Sequence, residues 1–225
     1  MKHTGIMLAL PLHPPAAPES EPALGDLRFR ALLSDHEWAA LPLPIRRRFS
    51  KRLAGGATIV YAGTVIETRM SRLGWCFAQA ARLIGAPLPL AREGNVPAVV
   101  TVTEDMATGG QIWTRLYARR TAFPQVIHSS KRFAGPTGLE EYVGRGVGMA
   151  LTVHAENGAL IFRSAGYFVE LFGRRLSVPA WLAPGALSVT HTELGEGRFT
   201  FTLELVHPRF GFLIRQLAVF READT

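Results

Sequence analysis

A chain of 225 residues with 48% hydrophobic and 19% charged content can bury a sizeable core, which excludes a wholly disordered or fibrous protein. The net charge of +7 is carried by arginine, since the lysines are Lys2, Lys51 and Lys131 alone. The arginines are scattered, so they fit a solvated surface better than a nucleic-acid footprint, and a nucleic-acid partner is not expected.

In chain order, residues 1–25 hold five of the fifteen prolines and little periodicity. They are expected to be a tail or linker, with 26–225 forming a single barrel-like domain with a helical N-terminal segment. The opening "MKHTGIMLALPLHPPAAPES" has a short apolar run behind Lys2. Pro11 interrupts it and no small-residue cleavage site follows, so it is not read as an export signal. No stretch approaches the about 18 apolar residues of a membrane span. From Asp26 the pattern turns helical through Leu32, followed by a cap at Ser34-Asp35 and a second helix after Pro44. Ile45, Phe49 and Leu53 share one edge of "IRRRFSKRL", which is expected to dock while the basic edge stays solvated. Asp35, His36 and Glu37 are consecutive, so a helix splays them apart and they do not form a metal site.

"ATIVYAGTVIETRM" reads as a long strand, and "SRLGWCFAQAARLIGAPLP" as a helix opened by Ser71 and closed near Gly85 and Pro87. The single cysteine, Cys76, lies in that apolar helix and is expected to be a buried thiol in a reducing, cytoplasmic compartment. Eight further strand-like segments follow, from "VPAVVTVTE" to "GFLIRQLAVF", joined by short turns at 108–110, 156–158 and 195–197. Asn157-Gly158 tolerates the positive φ of a tight hairpin. Hairpin connections predict an α+β, mainly antiparallel fold: a curved meander or barrel of about eight to nine strands, with a packed helix and N-terminal helices. "RFTFTLEL" puts Phe199, Phe201, Leu203 and Leu205 on one face. "GFLIRQLAVF" is apolar on both, so its outer face is expected to lie under the helix at 71–84.

The ordered phrases Trp113-x-Arg115, Glu141-x-x-Gly144, Pro179-x-Trp181-Leu182-x-Pro184 and His207-Pro208-x-x-Gly211 resemble the bacterial family called domain of unknown function 4166, over roughly residues 27–220. Near the end, Gln216-Leu217-Ala218 stands where the family pattern is richer in glycine. The resemblance implies a nicotinamide-dependent dehydrogenase-like protein as a partner, because family members occur beside or attached to such proteins. The chain itself has no Gly-rich strand-to-helix fingerprint, and "GRGVG" at 144–148 is a turn before a strand, so no cofactor is expected.

The chemistry-bearing residues centre on "GQIWTRLYARR". Trp113, Arg115 and Tyr117 alternate with Ile112, Thr114 and Leu116, and the next strand carries polar groups on both faces at His128 and Ser129. Mixed polarity on adjacent strands suits an interior cavity with a few fixed polar groups, so Arg115 is expected to face inward. Its candidate companions are Glu141, His128 or Ser129, and His191 or Glu193 from "THTE". One reading makes Arg115 and Glu141 a salt bridge that pins the barrel. The other makes Arg115 the anchor for a carboxylate or enolate, with Glu141, His128 or His191 moving a proton. Trp113, Tyr117, Ser129, Trp181 and Glu193 would then contact the ligand, with Trp181 either covering one barrel mouth or stacking on the ligand. His207 before Pro208 is expected to shape the turn into Gly211. With scattered histidines and no Gly-x-Ser-x-Gly turn, neither a metal site nor a nucleophilic serine is expected. The function expected is binding of a small, largely apolar molecule with an acidic or carbonyl group, with cofactor-free isomerisation or cyclisation as its enzymatic form. The alternative is an accessory module for the dehydrogenase-like partner.

Overall fold

The computed structural model describes residues 25–223, so the Pro-rich stretch lies almost wholly outside the described residues. Eleven antiparallel strands run in the order β1 (Thr58–Met70), β2 (Val96–Asp105), β3 (Gly110–Tyr117), β4 (Gln125–Arg132), β5 (Glu140–Gly144), β6 (Val147–Glu156), β7 (Ala159–Leu171), β8 (Arg174–Ser177), β9 (Ala186–Gly195), β10 (Arg198–His207) and β11 (Gly211–Glu222). Strands β1 to β7 pair in sequence, β7 pairs with β9, and β9, β10 and β11 lead back to β1. Ten strands therefore close a barrel, which removes exposed edges. Strand β8 is extra: Leu160–Arg163 of β7 pair with β9, and beyond a bulge near Ser164 the stretch Phe168–Leu171 pairs with β8.

The count exceeds the expected eight to nine because β5 and β8 carry no legible pattern. Strand β5 is five residues long and opens with two glutamates, and β8, "RRLS", is exposed at every position. Both are recruited by ladder partners, Lys131↔Glu141 for β5 and Phe168↔Ser177 for β8. The expected hairpins hold, with Asn157 at φ 52° and Gly158 at φ 73° between β6 and β7.

Helices α1 (Asp35–Ala40) and α2 (Leu43–Phe49) close one end of the barrel. Ser34 caps α1 in a reciprocal capping box with Glu37. Phe29, Phe49 and Phe162 meet there in a cluster with ring centroids 5.3 to 6.1 Å apart, and Ile45 and Leu53 are buried beside them. The basic edge of α2 is not all solvated: Arg48 turns inward, its guanidinium 3.9 Å from the Phe199 ring and its NH1 3.2 Å from Glu193.

At the other end, helix α3 (Arg72–Ala80) lies over β11, as the two-sided apolarity of that strand predicts, and runs on into a 3-10 turn (Ala81–Ile84). Contact is close because Gly74 has no side chain; a Cβ there would lie 2.0 Å from the Leu213 carbonyl oxygen. Gly74 and Ala78 are the buried residues of the helix. So short a docking face leaves Cys76 exposed, which corrects the expectation of a buried thiol. No helix among the described residues is long and apolar enough to cross a membrane.

Candidate functional site

Ladder register settles which side of "IWTRLY" faces in. Trp113 and Arg115 stand opposite the buried Val102 and Val100 of β2 and the buried Ser129 and Ile127 of β4, and Tyr117 lies opposite Ala98 and Gln125. Their common face lines an internal cavity of about 420 Å³, whose wall is mostly apolar and includes Val100, Ile127, Met149, Phe162, Val189 and Phe201. The charged residues of that wall are Arg115, Lys131 and Glu141.

These three form one connected group. Lys131 and Glu141 are direct cross-strand partners, with Nζ 2.8 Å from Oε2. Arg115, one strand further, places NH2 3.3 Å from Glu141 Oε1 and donates from NH1 to Ser129 Oγ at 3.1 Å. Burial pushes the Glu141 carboxyl upward, but Lys131 and Arg115 overcome it and hold the group at about 2. Burial moves the Lys131 ammonium downward, and the charge of Glu141 opposes that shift. The Lys131 ammonium also lies 5.2 Å from the Trp113 ring. Lys131 and Glu141 side chains are 7% and 8% exposed, whereas Arg115 keeps 22%. Both cations keep N–H donors beyond these contacts, and Arg115, with five donors and the greater exposure, is the one better placed to offer them to a ligand. Two cations share one carboxylate, which leaves the group one positive charge in excess.

The structure thus brings Arg115, Glu141, Ser129, Trp113 and Tyr117 together on the cavity wall. It does not bring the other four. His128 is exposed on the outer face, with Nδ1 3.0 Å from Thr114 Oγ1, because period-two alternation sends it opposite to Ser129. His191 points inward but lies in the packed helical end rather than on the cavity wall. Its Nε2 is 2.7 Å from Arg48 NH1, and its ring packs against Phe49, Phe199 and Phe201. Burial, with Arg48 adding to it, holds this imidazole well below its ordinary range, and it stays neutral. Glu193 belongs to the same end as the partner of Arg48. Trp181 is 80% exposed and covers nothing; its neighbours Leu182 and Pro184 reach the cavity instead.

Sequence reasoning missed Lys131 and Arg48. Lys131 shares the inward face of Ile127 and Ser129, and that spacing was its one visible signal. Arg48 gave none, because α2 has three consecutive arginines and only packing selects among them. The mouth of the cavity lies between the α3 segment and the β8–β9 loop. Gln125 ties this end together: its amide donates to the Ala86 and Leu88 carbonyls at 3.2 and 2.8 Å, and its oxygen accepts from Leu90 N–H at 3.0 Å. Tyr167 donates to the Gly185 carbonyl at 2.8 Å, anchoring the β8–β9 loop. His207 Nδ1 accepts from the Arg209 and Phe210 amides at 3.1 and 3.3 Å, shaping the β10–β11 turn as expected.

Fold and site together define a closed ten-stranded antiparallel β-barrel, plugged by helices at one end, with an apolar cavity that holds a buried ionic group. Residues 41–220 match the family described as Domain of unknown function (DUF4166), and the chain belongs to that family. No curated protein matches the sequence. Among solved structures it is similar to a mutant of the fluorescent protein UnaG, at 9% identity and a TM-score of 0.31, covering 74% of this chain and 95% of that one. That likeness is too slight to argue from. Among the described residues no group of three His, Cys, Asp or Glu could hold a metal ion.

Proposed function

We propose that the barrel binds a small, largely apolar molecule carrying one acidic group. The observation that carries this reading is the 420 Å³ apolar cavity whose ionic group, Arg115, Lys131 and Glu141, has one positive charge in excess. A cavity of that size falls in the range of small-molecule sites. An uncompensated charge in an apolar interior is costly, and a ligand carboxylate against the free donors of Arg115 would compensate it. The apolar remainder would lie against Val100, Ile127 and Phe201.

Binding is better supported than proton transfer. Glu141 remains a carboxylate down to about pH 2 and is a weak base at neutral pH. The two candidate histidines lie off the cavity wall. The test is a titration with lauric acid and lauryl alcohol, followed by calorimetry and by tryptophan emission, to which Trp113 on the cavity wall contributes. The acid should bind at least about tenfold more tightly, the usual return on a charge-assisted hydrogen bond. Equal affinities would remove the reading.

A further inference from the structure

The mouth of the barrel presents an unusual surface. In this antiparallel circuit the α3 segment, the β3–β4, β5–β6, β7–β8 and β10–β11 turns and the β8–β9 loop all share one end. Contacts bear this out: Gly144 abuts the Ile84 carbonyl, Glu170 N–H donates to Gly146 at 2.7 Å, and Gly185 lies against Val206. Exposed on that end are Trp75, Leu83, Phe123, Phe172, Trp181 and Phe210. At the far end the exposed large apolar side chains are Leu27, Met106 and Leu194, among the described residues. Leu83 and Leu182 are both well exposed and both line the cavity, so the outer apolar surface runs into the inner one.

Charge on the same end is one-sided. Arg72, Arg82, Arg120, Arg145, Arg174 and Arg209 are exposed there, and none forms a salt bridge among the described residues. The connecting segments that rim the mouth hold a single acidic residue, Glu93. Large aromatics interspersed with unpaired arginines suit the boundary between headgroups and acyl chains of an anionic bilayer.

We infer that the mouth end of the barrel docks on an anionic lipid surface, and that the apolar ligand enters the cavity from that surface. The second clause rests on the ligand-binding reading above; the first does not. Docking places Leu83 and Leu182 against the acyl boundary, so a poorly soluble molecule passes from bilayer to cavity without crossing water.

The experiment is co-sedimentation of ligand-free protein with vesicles of phosphatidylcholine alone and of phosphatidylcholine and phosphatidylglycerol in equal parts. Binding to the anionic vesicles should be at least about tenfold stronger and should weaken as salt rises from about 0.05 to about 0.5 M. Arg82→Gln with Arg145→Gln should cost about thirtyfold in vesicle affinity. Phe172→Ser with Trp181→Ser should weaken binding without removing the salt dependence. Neither pair lines the cavity, so lauric acid affinity and thermal stability should be unchanged in both. Equal binding to neutral and anionic vesicles, or binding unaffected by the arginine pair, overturns the inference. Sedimentation with neither composition also overturns it, and leaves a protein partner for this face. Vesicle binding that persists while lauric acid fails to bind would remove the cavity reading instead.

Discussion

Arg115→Met and Glu141→Gln separate an anion anchor from a structural ion pair. Glu141 is held by Lys131 at 2.8 Å and by Arg115 at 3.3 Å. Removing Arg115 leaves the carboxylate neutralised by its nearer partner and costs two hydrogen-bonded contacts, to Glu141 and Ser129, about 2 kcal/mol in all. Removing the carboxylate charge leaves two buried cations facing each other, and breaking a buried pair in that way costs roughly 3 to 5 kcal/mol. For a chain of this length each 1 kcal/mol shifts the melting temperature by about 2 to 4 °C. Glu141→Gln should therefore lower Tm by about 6 to 20 °C in differential scanning calorimetry, and Arg115→Met by roughly half as much. Lauric acid affinity should move the other way. Arg115→Met loses the open charged donors and about 1.5 to 3 kcal/mol, roughly ten- to a hundredfold in Kd, while lauryl alcohol binding stays as it was. Equal destabilisation by the two variants, with lauric acid affinity untouched in Arg115→Met, would make the arginine scaffold and refute the reasoning.

Lys131→Met takes the excess charge of the cavity to zero and should erase the preference for acid over alcohol even though Arg115 remains, as read by the same titrations. Stability should fall with pH in two stages, followed by urea midpoints across a pH series. The unfolded His191 imidazole takes up a proton near 6.5, whereas the buried one resists it, so stability is full above that pH and declines below it. Glu141 titrates at about 2 when folded and near 4.5 when unfolded, so its contribution, about 3 kcal/mol, is present above pH 4.5 and lost as pH falls through 2. His191→Gln, which keeps an acceptor for Arg48, should flatten the first stage and leave the second. Gly74→Ala forces a methyl group against the Leu213 carbonyl and should lift α3 off β11, at about 1 to 3 kcal/mol and with increased dye binding to the exposed apolar strand.

Alternation and turn chemistry made much of the barrel legible from residues alone. "RFTFTLEL" displays its inward face without any partner, Asn157-Gly158 fixes a hairpin, and two-sided apolarity in "GFLIRQLAVF" announces the covering helix. The inward course of Arg115 followed from the same period of two, because mixed polarity on adjacent strands implies a cavity. Other features have no local signature. Strand β5 opens with Glu140-Glu141 and is a strand because Lys131 and Met149 flank Glu141 in the ladder. His191 shares the inward face of its strand, yet whether it meets ligand or packing depends on how far α2 reaches into the barrel, and Arg48 and Phe49 fill that end.

The sequence by itself determined the antiparallel class, the sidedness of β3 and β10 and the presence of a charged group among apolar neighbours, since these depend on residues two positions apart. Only the tertiary structure decided that Lys131 completes that group, that the cavity opens under α3, and that His191 and Trp181 stand outside it. Those outcomes depend on strand register and end closure, and the contacts that fix them join residues far apart in the chain, as Arg48 and His191 are.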